Sequence, residues 1–217
     1  MKKLILAATA MALALPATAN AAADVTINFG ATNLIPANND FQAQLNGLGL
    51  FEFATVGASL FLNGPASITF EFLGSESGFF DTFSTSGGLT LTETSSGVIN
   101  NFAAPVLIGT QFFAGGSLAS LLNFTSNFGI PATVGDDGFG IFLGAKPTSG
   151  LNYTTFYLGY DDEVRRQDDN HDDFIIRATV SSPVPEPATW AMALVGFAAI
   201  GRSMRSRRRV NTSVAFS

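Results

Sequence analysis

The chain has 217 residues, a formal net charge of −6 and no cysteine. This length suggests one domain with appendages, and without cysteine the fold depends on its core rather than on disulfides. Segment 24–182 holds 16 of the 17 acidic residues but only four of the 11 basic ones, which gives it a net charge of −12. Because so acidic a segment is repelled by a polyphosphate chain, we expect no nucleic-acid partner.

The chain begins with the pattern of a secretory signal peptide. Two lysines precede an apolar run over residues 4–15, and overlapping triplets of the A-x-A kind follow up to Ala23. This order of charge, short apolar helix and small-residue cleavage site is typical of exported proteins. We therefore assign residues 1–23 as a signal peptide, handled by the Sec and signal peptidase machinery, with cleavage after Ala21 or Ala23.

Segment 24–182 has the composition of an all-β domain. It holds 19 of the 21 phenylalanines, and clusters of Gly, Asn and Ser separate its apolar runs. Several runs alternate between apolar and polar residues, as strands with one buried face do. These runs are 25–29, 68–72, 89–94, 156–160 and 174–180. Many short strands of this kind favour a β-sandwich or jelly-roll-like domain, with a short helix only where leucines have helical spacing, in Ser117–Phe128.

Residues 161–173 form the most unusual stretch, because seven of these 13 residues are acidic. Strand-like runs flank the stretch, so we predict a connection at one end of a sheet. Like charges packed this closely repel one another unless a cation or an arginine lies among them. Hard cations such as Ca²⁺ bind carboxylate and carbonyl oxygens on loops. The candidate calcium ligands are Asp161, Asp162, Asp168, Asn170, Asp172 and Asp173.

The spacing within this stretch matches only part of a known calcium motif. Asp168, Asn170 and Asp172 have the spacing that opens an EF-hand loop, but the glycine and the closing glutamate of that motif are missing. The site would therefore be a calcium loop on a β scaffold. The alternative is a solvated acidic loop in which Arg165 and Arg166 neutralise part of the charge.

Catalytic chemistry has little support in this sequence. No G-x-S-x-G, P-loop or H-E-x-x-H pattern occurs, and the only histidine, His171, lies inside the acidic stretch. In that setting we expect it to be a loop residue rather than a general base. We therefore name no catalytic residue and expect a protein that is not an enzyme.

The C-terminal segment changes character after Ser182. A proline-rich stretch leads into an apolar run over residues 188–201, and a basic cluster follows. The basic residues are Arg202, Arg205, Arg207, Arg208 and Arg209. An apolar run without a polar face, followed by arginines, favours a single transmembrane helix with a cytoplasmic basic stop at 202–209. Since the run is shorter than the usual span of about 20 residues, a core helix is the alternative, and a transient anchor is favoured over a permanent one.

This segment resembles the PEP-CTERM sorting signal of exported proteins from Gram-negative bacteria that make extracellular polysaccharide. The matching residues of the motif are Val184, Pro185, Glu186, Pro187 and Trp190, followed by the apolar run and the arginines. The resemblance covers residues 183–209 and leaves a tail at 210–217. It implies recognition by exosortase, a membrane peptidase, after transient anchoring in the inner membrane, and delivery to the cell surface or the extracellular matrix.

These features together predict a non-enzymatic surface or matrix protein associated with exopolysaccharide or biofilm. The main alternative is a calcium-dependent, lectin-like module that binds carbohydrate through the acidic stretch. An extracellular hydrolase is the third reading, because exposed acidic residues on a β-sandwich can form carboxylate pairs.

Overall fold

The computed structural model describes residues 23–163, 170–182 and 187–206. Within these ranges the chain forms short strands joined by turns, together with two helices. The strands are β1 (Val25–Asn28), β2 (Asn33–Leu34), β3 (Glu52–Ala54), β4 (Ser59–Leu62), β5 (Ala66–Ser75), β6 (Asp81–Thr85), β7 (Thr90–Thr92), β8 (Ile99–Asn100), β9 (Val106–Phe113), β10 (Gly116–Ser117), β11 (Leu122–Ser126), β12 (Ala132–Thr133), β13 (Phe139–Leu143), β14 (Leu151–Tyr153), β15 (Thr155–Tyr160) and β16 (Phe174–Ser181). The helices are α1 (Gln42–Gly47) and α2 (Pro187–Ser206).

The strands form three antiparallel sheets. The large sheet has the order β2-β3-β13-β15-β16-β5-β8, and β9 also pairs with β5. The first small sheet has the order β10-β4-β1-β14, and the second small sheet has the order β12-β11-β6-β7. These antiparallel sheets confirm the predicted all-β class.

One hydrophobic core joins the three sheets. Phe70 and Ile176 of the large sheet pack in the same buried cluster as Leu60 of the first small sheet and Phe124 of the second. The small sheets therefore cover one face of the large sheet, which is the layered arrangement of a sandwich. Each fully buried side chain of this size contributes about 2–3 kcal/mol to folding.

The opposite face of the large sheet carries a second, smaller cluster. Phe142 and Ile175 point to this face and pack with Leu45 of α1. Residues one position along the same strands, such as Ile141 and Ile176, belong to the main core. This reversal of side at each step follows from the two-residue period of a strand.

The alternating runs of the sequence all fall on strands, but the short-helix prediction was wrong. Ser117–Phe128 contains the end of β10 and the strand β11 rather than a helix. Leu122 and Phe124 face the core from β11, so period-two burial overrides the helical spacing of the leucines. The helix that does form, α1, was missed because it is only six residues long and has no capping side chain.

The tail forms a helix at the expected place. Helix α2 includes the apolar run, and its described side chains from Met192 to Arg205 are exposed. A core helix would bury such residues as Leu194 and Phe197, which are 69% and 71% exposed. Among the described residues, no helix is both long enough and apolar enough to cross a membrane.

Candidate functional site

Two connections meet at one end of the sandwich. Tyr160 ends β15 and pairs with Phe174 at the start of β16, so residues 161–173 connect neighbouring antiparallel strands as predicted. The end of β5 pairs with the start of β16, and from there residues 76–80 cross to the second small sheet. The crossing enters β6 at Asp81. This topology brings the acidic stretch beside an acidic residue that lies about 80 positions earlier in the chain.

Three carboxylates form what we call the inner cluster: Asp81, Asp162 and Asp173. Each offers one oxygen, and the three oxygens lie within 4.8 Å of one another. Asp81 is fully buried, and Asp162 is 3% exposed. The Ser77 hydroxyl donates a hydrogen bond of 2.8 Å to Asp162 Oδ2, and the Asp162 N–H donates one of 2.8 Å to Asp173 Oδ2. The first bond ties the acidic stretch to the crossing segment, and the second joins the two ends of the stretch.

A further buried carboxylate, Glu93, follows strand β7 and lies next to the inner cluster. Its backbone N–H donates to the Asp81 carbonyl oxygen at 2.9 Å, and its side chain is only 7% exposed. In the described part of the chain, no oxygen of the Asp81 or Glu93 carboxylates accepts a hydrogen bond of normal geometry. Buried polar atoms are nearly always partnered, so these four oxygens require an explanation.

Burial and mutual repulsion raise the pKa values of these acids. Burial, reinforced by the charge of Asp162, raises the pKa of Asp81 to about 7, although the Ser126 hydroxyl opposes the change. Burial and the charges of Asp81 and Asp162 raise the pKa of Glu93 to about 8. Burial and the same two charges raise the pKa of Asp173 to about 9. Near neutral pH the cluster must therefore hold protons or be balanced by a positive charge.

A cavity of about 180 Å³ opens beside the inner cluster. Asp162 and Asp173 belong both to its lining and to the cluster, so the cavity reaches two of the three inner-cluster carboxylates. The remaining lining residues are Glu76, Gly78, Phe79, Asp161 and Glu163. The Phe79 ring packs on Phe128 with their centroids 5.7 Å apart, and Phe128 is 80% exposed. The entrance thus combines acidic side chains with aromatic surface.

A second acidic group lies beside the cavity. Glu76, Asp172 and Asp173 each place one oxygen within 4.8 Å of the others, so Asp173 belongs to both groups. Asp172 Oδ2 also accepts a hydrogen bond of 2.7 Å from the Asp40 N–H. The neighbouring Asn170 carbonyl accepts one of 2.8 Å from the Asn39 side chain. These contacts attach the end of the acidic stretch to the segment that precedes α1.

His171 is a buried anchor of this stretch. It is fully buried, has a positive φ of 58°, and its Nε2 lies 2.8 Å from the Asp137 carbonyl oxygen. Its ring packs on Phe53 at a centroid distance of 4.6 Å. Two glycines leave room for it: a Cβ on Gly140 would lie 2.7 Å from the ring, and one on Gly159 would lie 2.4 Å from the backbone oxygen of His171. His171 is not among the residues that line the cavity.

The proposed calcium ligands do not all converge. Asp161, Asp162 and Asp173 line the cavity, and Asp172 lies in the adjoining group. Asn170 is buried against Asn39. Asp168, Arg165 and Arg166 lie outside the described residues.

Asp81, Glu93 and Glu76 were not among the calcium ligands predicted from the sequence. The sequence does carry a signal for Asp81 and Glu93. Asp81 lies two positions before Phe83, which faces inward from β6, and Glu93 lies two positions after Leu91 of β7, so each is expected on the inner face. An acidic residue at an inward position is unusual and points to a special environment.

The sorting residues are only partly described. Val184, Pro185 and Glu186 lie outside the described residues, as do the arginines at 207–209. The backbones of Pro187 and Trp190 belong to α2, and Arg202 and Arg205 are exposed near its end. Helix α2 begins at Pro187, and the first position of a helix is where proline is best tolerated, because its missing N–H would have no partner there.

Comparison with known proteins identifies the tail. A family model for the PEP-CTERM protein-sorting motif matches residues 183–209, about an eighth of the chain. Neither the curated proteins nor the solved structures gave a match to the chain. The motif is that of exported proteins sorted by exosortase, and the resemblance inferred from the sequence is confirmed.

Proposed function

We propose that this chain, an exported protein that carries a PEP-CTERM sorting motif, is a non-enzymatic surface or matrix protein associated with exopolysaccharide or biofilm. One observation carries the proposal: the matched motif begins at residue 183, directly after β16 ends at Ser181. The folded domain is therefore complete before the sorting segment starts. Exosortase could remove or transfer that segment without breaking a strand.

The acidic cavity lies at the far end of β16 from the sorting motif. Asp173 immediately precedes this strand of eight residues, and the motif follows it. At about 3.3 Å per residue, the strand separates the two features by roughly 26 Å. A domain held at a surface through its C-terminal end would thus keep the cavity away from the point of attachment.

The non-enzymatic part of the proposal rests on the environment of the available groups. His171 is directed to the Asp137 carbonyl and packs under Phe53 rather than lining the cavity. The raised pKa values of Asp81 and Glu93 are the one feature that a hydrolase would also use. Turnover of polysaccharide by the purified protein, lost in Asp81→Asn, would favour the hydrolase instead.

Two experiments in the producing bacterium test the proposal. Replacing Pro185, Glu186 and Pro187 with alanine should leave the unprocessed chain in the membrane. The wild type should reach the surface with a lower mass, because its sorting segment has been removed. In a strain that makes no exopolysaccharide, processed protein should pass into the medium rather than stay on cells. Unchanged mass in the triple variant would contradict exosortase handling, and unchanged cell retention would contradict the association with exopolysaccharide.

A calcium-dependent carbohydrate-binding module is the second candidate. The observation that favours it is the contact between half-buried Phe79, which lines the acidic cavity, and exposed Phe128. Aromatic faces stack on sugar rings, and a cation at the carboxylates could bind hydroxyl groups. Purified protein should then bind the exopolysaccharide of the producing bacterium in calcium and release it in chelator. Phe128→Ala should weaken this binding. Binding that is indifferent to both changes would exclude this candidate.

A further inference from the structure

We infer that the inner cluster and Glu93 bind a calcium ion within the folded domain. This site differs from the loop predicted from sequence, because Asp81 and Glu93 come from the second small sheet and its border. It is also independent of the proposed surface role, since it concerns what completes the fold.

The spacing of the inner cluster suits calcium. Oxygens on opposite sides of a calcium ion lie about 4.8 Å apart, because each Ca–O distance is about 2.4 Å. The oxygens of Asp81, Asp162 and Asp173 all lie within 4.8 Å of one another. A single ion can therefore contact all three without moving their strands apart.

The unpartnered carboxylates supply a second and independent observation. Glu93 is 7% exposed and Asp81 is fully buried, yet no described group donates a hydrogen bond of normal geometry to any of their four oxygens. Nearby hydroxyls only moderate the raised pKa values, those of Ser126 and Ser77 at Asp81 and that of Ser75 at Glu93. The Glu93 N–H donates to the Asp81 carbonyl oxygen at 2.9 Å, which places Glu93 beside the inner cluster, and the charges of Asp81 and Asp162 help to raise its pKa. Leaving a buried acceptor unsatisfied costs about 1–3 kcal/mol, and more for a charged one. A cation bound at the inner cluster would partner Asp81 and balance the charge of Glu93 beside it.

The described cations do not balance this charge. Arg177 pairs with Glu71 at 2.8 Å on the large sheet, and Lys146 is exposed. Among the described residues, no lysine or arginine forms an ion pair with the inner cluster or Glu93. Two other sources of positive charge need testing: protons shared between the carboxylates, and Arg165 or Arg166.

The donor chemistry favours calcium over other metals. The cluster offers only oxygens, the chain has no cysteine, and the one histidine is directed to Asp137. Zinc prefers nitrogen and sulfur ligands, whereas Mg²⁺ requires near-ideal octahedral geometry and retains several waters. Calcium accepts irregular sets of carboxylates. The adjoining cavity gives the ion a route, because Asp162 and Asp173 line it.

Calcium and terbium titrations of the full chain in mild detergent test the site. Calcium at about a hundred times its Kd should raise the Tm by roughly 5–10 °C, and chelator should reverse the change. Tyr160 directly precedes the acidic stretch, so excitation of tyrosine should sensitise bound terbium, and calcium should displace it.

Matched variants locate the ion. Asp81→Asn and Glu93→Gln should each weaken terbium binding by roughly tenfold or more, because affinity depends on the number of charged ligands. Asp137→Asn removes an exposed carboxylate and should bind as the wild type does. If Asp81→Asn does not fold, Glu93→Gln provides the same comparison. Wild-type affinity in both variants would overturn the site and favour the second acidic group, which consists of Glu76, Asp172 and Asp173.

Two further results would also overturn the inference. One is a Tm that is indifferent to calcium and chelator but rises steadily as the pH falls from 8 to 5, which indicates shared protons. The other is a Tm that is indifferent to calcium but falls when Arg165 and Arg166 are replaced by glutamine, which indicates neutralisation by arginine.

Discussion

Replacing Asp81 with asparagine should stabilise the calcium-free protein at alkaline pH. The pKa of Asp81 is raised from 3.8 to about 7 in the folded protein, chiefly by burial. A raised acid pKa means that the folded state holds its proton more tightly than the unfolded state does. The contribution of Asp81 to stability is therefore complete below about pH 4 and is lost as the pH rises through 7.

The size of this loss follows from the two pKa values. Moving from 3.8 to about 7 corresponds to about 4 kcal/mol at most, since a tenfold change in a proton equilibrium is about 1.4 kcal/mol. Asp162, Glu93 and Asp173 share the repulsion, so part of it relaxes when Asp81 alone is neutralised. We expect the free energy of unfolding of Asp81→Asn to exceed that of the wild type by about 2–4 kcal/mol at pH 8 in chelator, and by much less at pH 5.

Urea unfolding followed by far-ultraviolet circular dichroism measures this difference. Trp190 lies in the tail, so its fluorescence would not report on the sandwich. Asp137→Asn serves as the control, because its carboxylate is exposed and its removal should leave stability nearly unchanged at both pH values. Two results would refute the conclusion that burial of Asp81 destabilises the protein at alkaline pH. One is an Asp81→Asn variant that is less stable than the wild type at pH 8, and the other is a change in unfolding free energy that is the same at pH 5 and pH 8.

Two further results follow from close contacts in the domain. Gly159→Ala should destabilise the protein by about 3 kcal/mol or more in chemical unfolding, because the new Cβ would lie 2.4 Å from the His171 backbone oxygen. The control Gly196→Ala should have little effect, because no atom lies within 4 Å of its new Cβ. Equal losses of stability in the two variants would contradict this expectation. Intact mass should place the mature N-terminus at Ala22, because the buried Ala23 donates its N–H to Ser182 Oγ at 3.0 Å; a mature chain starting at Asp24 would contradict it.

The strands were predictable because their signal is local. Val25 and Ile27 alternate with polar neighbours, and both are buried on the same side of β1. The same rule holds along β16, where Phe174, Ile176 and Ala178 face the main core. Helix α1 was not predictable in this way, because six residues with one buried leucine give no measurable period.

The candidate site was only half predictable for a different reason. The composition of residues 161–173 indicated an acidic site, and Asp162 and Asp173 belong to it. Their partners Asp81 and Glu93 are brought in by the crossing between sheets, and no local pattern encodes that distance. Burial also reverses the expectation of a solvated loop, since Asp161, Asp162 and Asp172 are each at most 3% exposed.

The same charges should couple folding to the location of the protein. Inside the cell free calcium is scarce, so folding at neutral pH requires these acids to take up protons, because their pKa values are raised in the folded state. This proton uptake lowers the stability of the calcium-free domain; the acids are Asp81, Glu93, Asp162 and Asp173. Extracellular calcium modules bind with Kd values of about 10⁻⁴ to 10⁻³ M, which would allow the ion to add stability only after export. We expect protease resistance of the domain at pH 8 to be low in chelator and high in millimolar calcium, whereas Asp81→Asn should be resistant in both. Equal resistance of the wild type in both buffers would mean that its carboxylates are already balanced before the protein meets calcium.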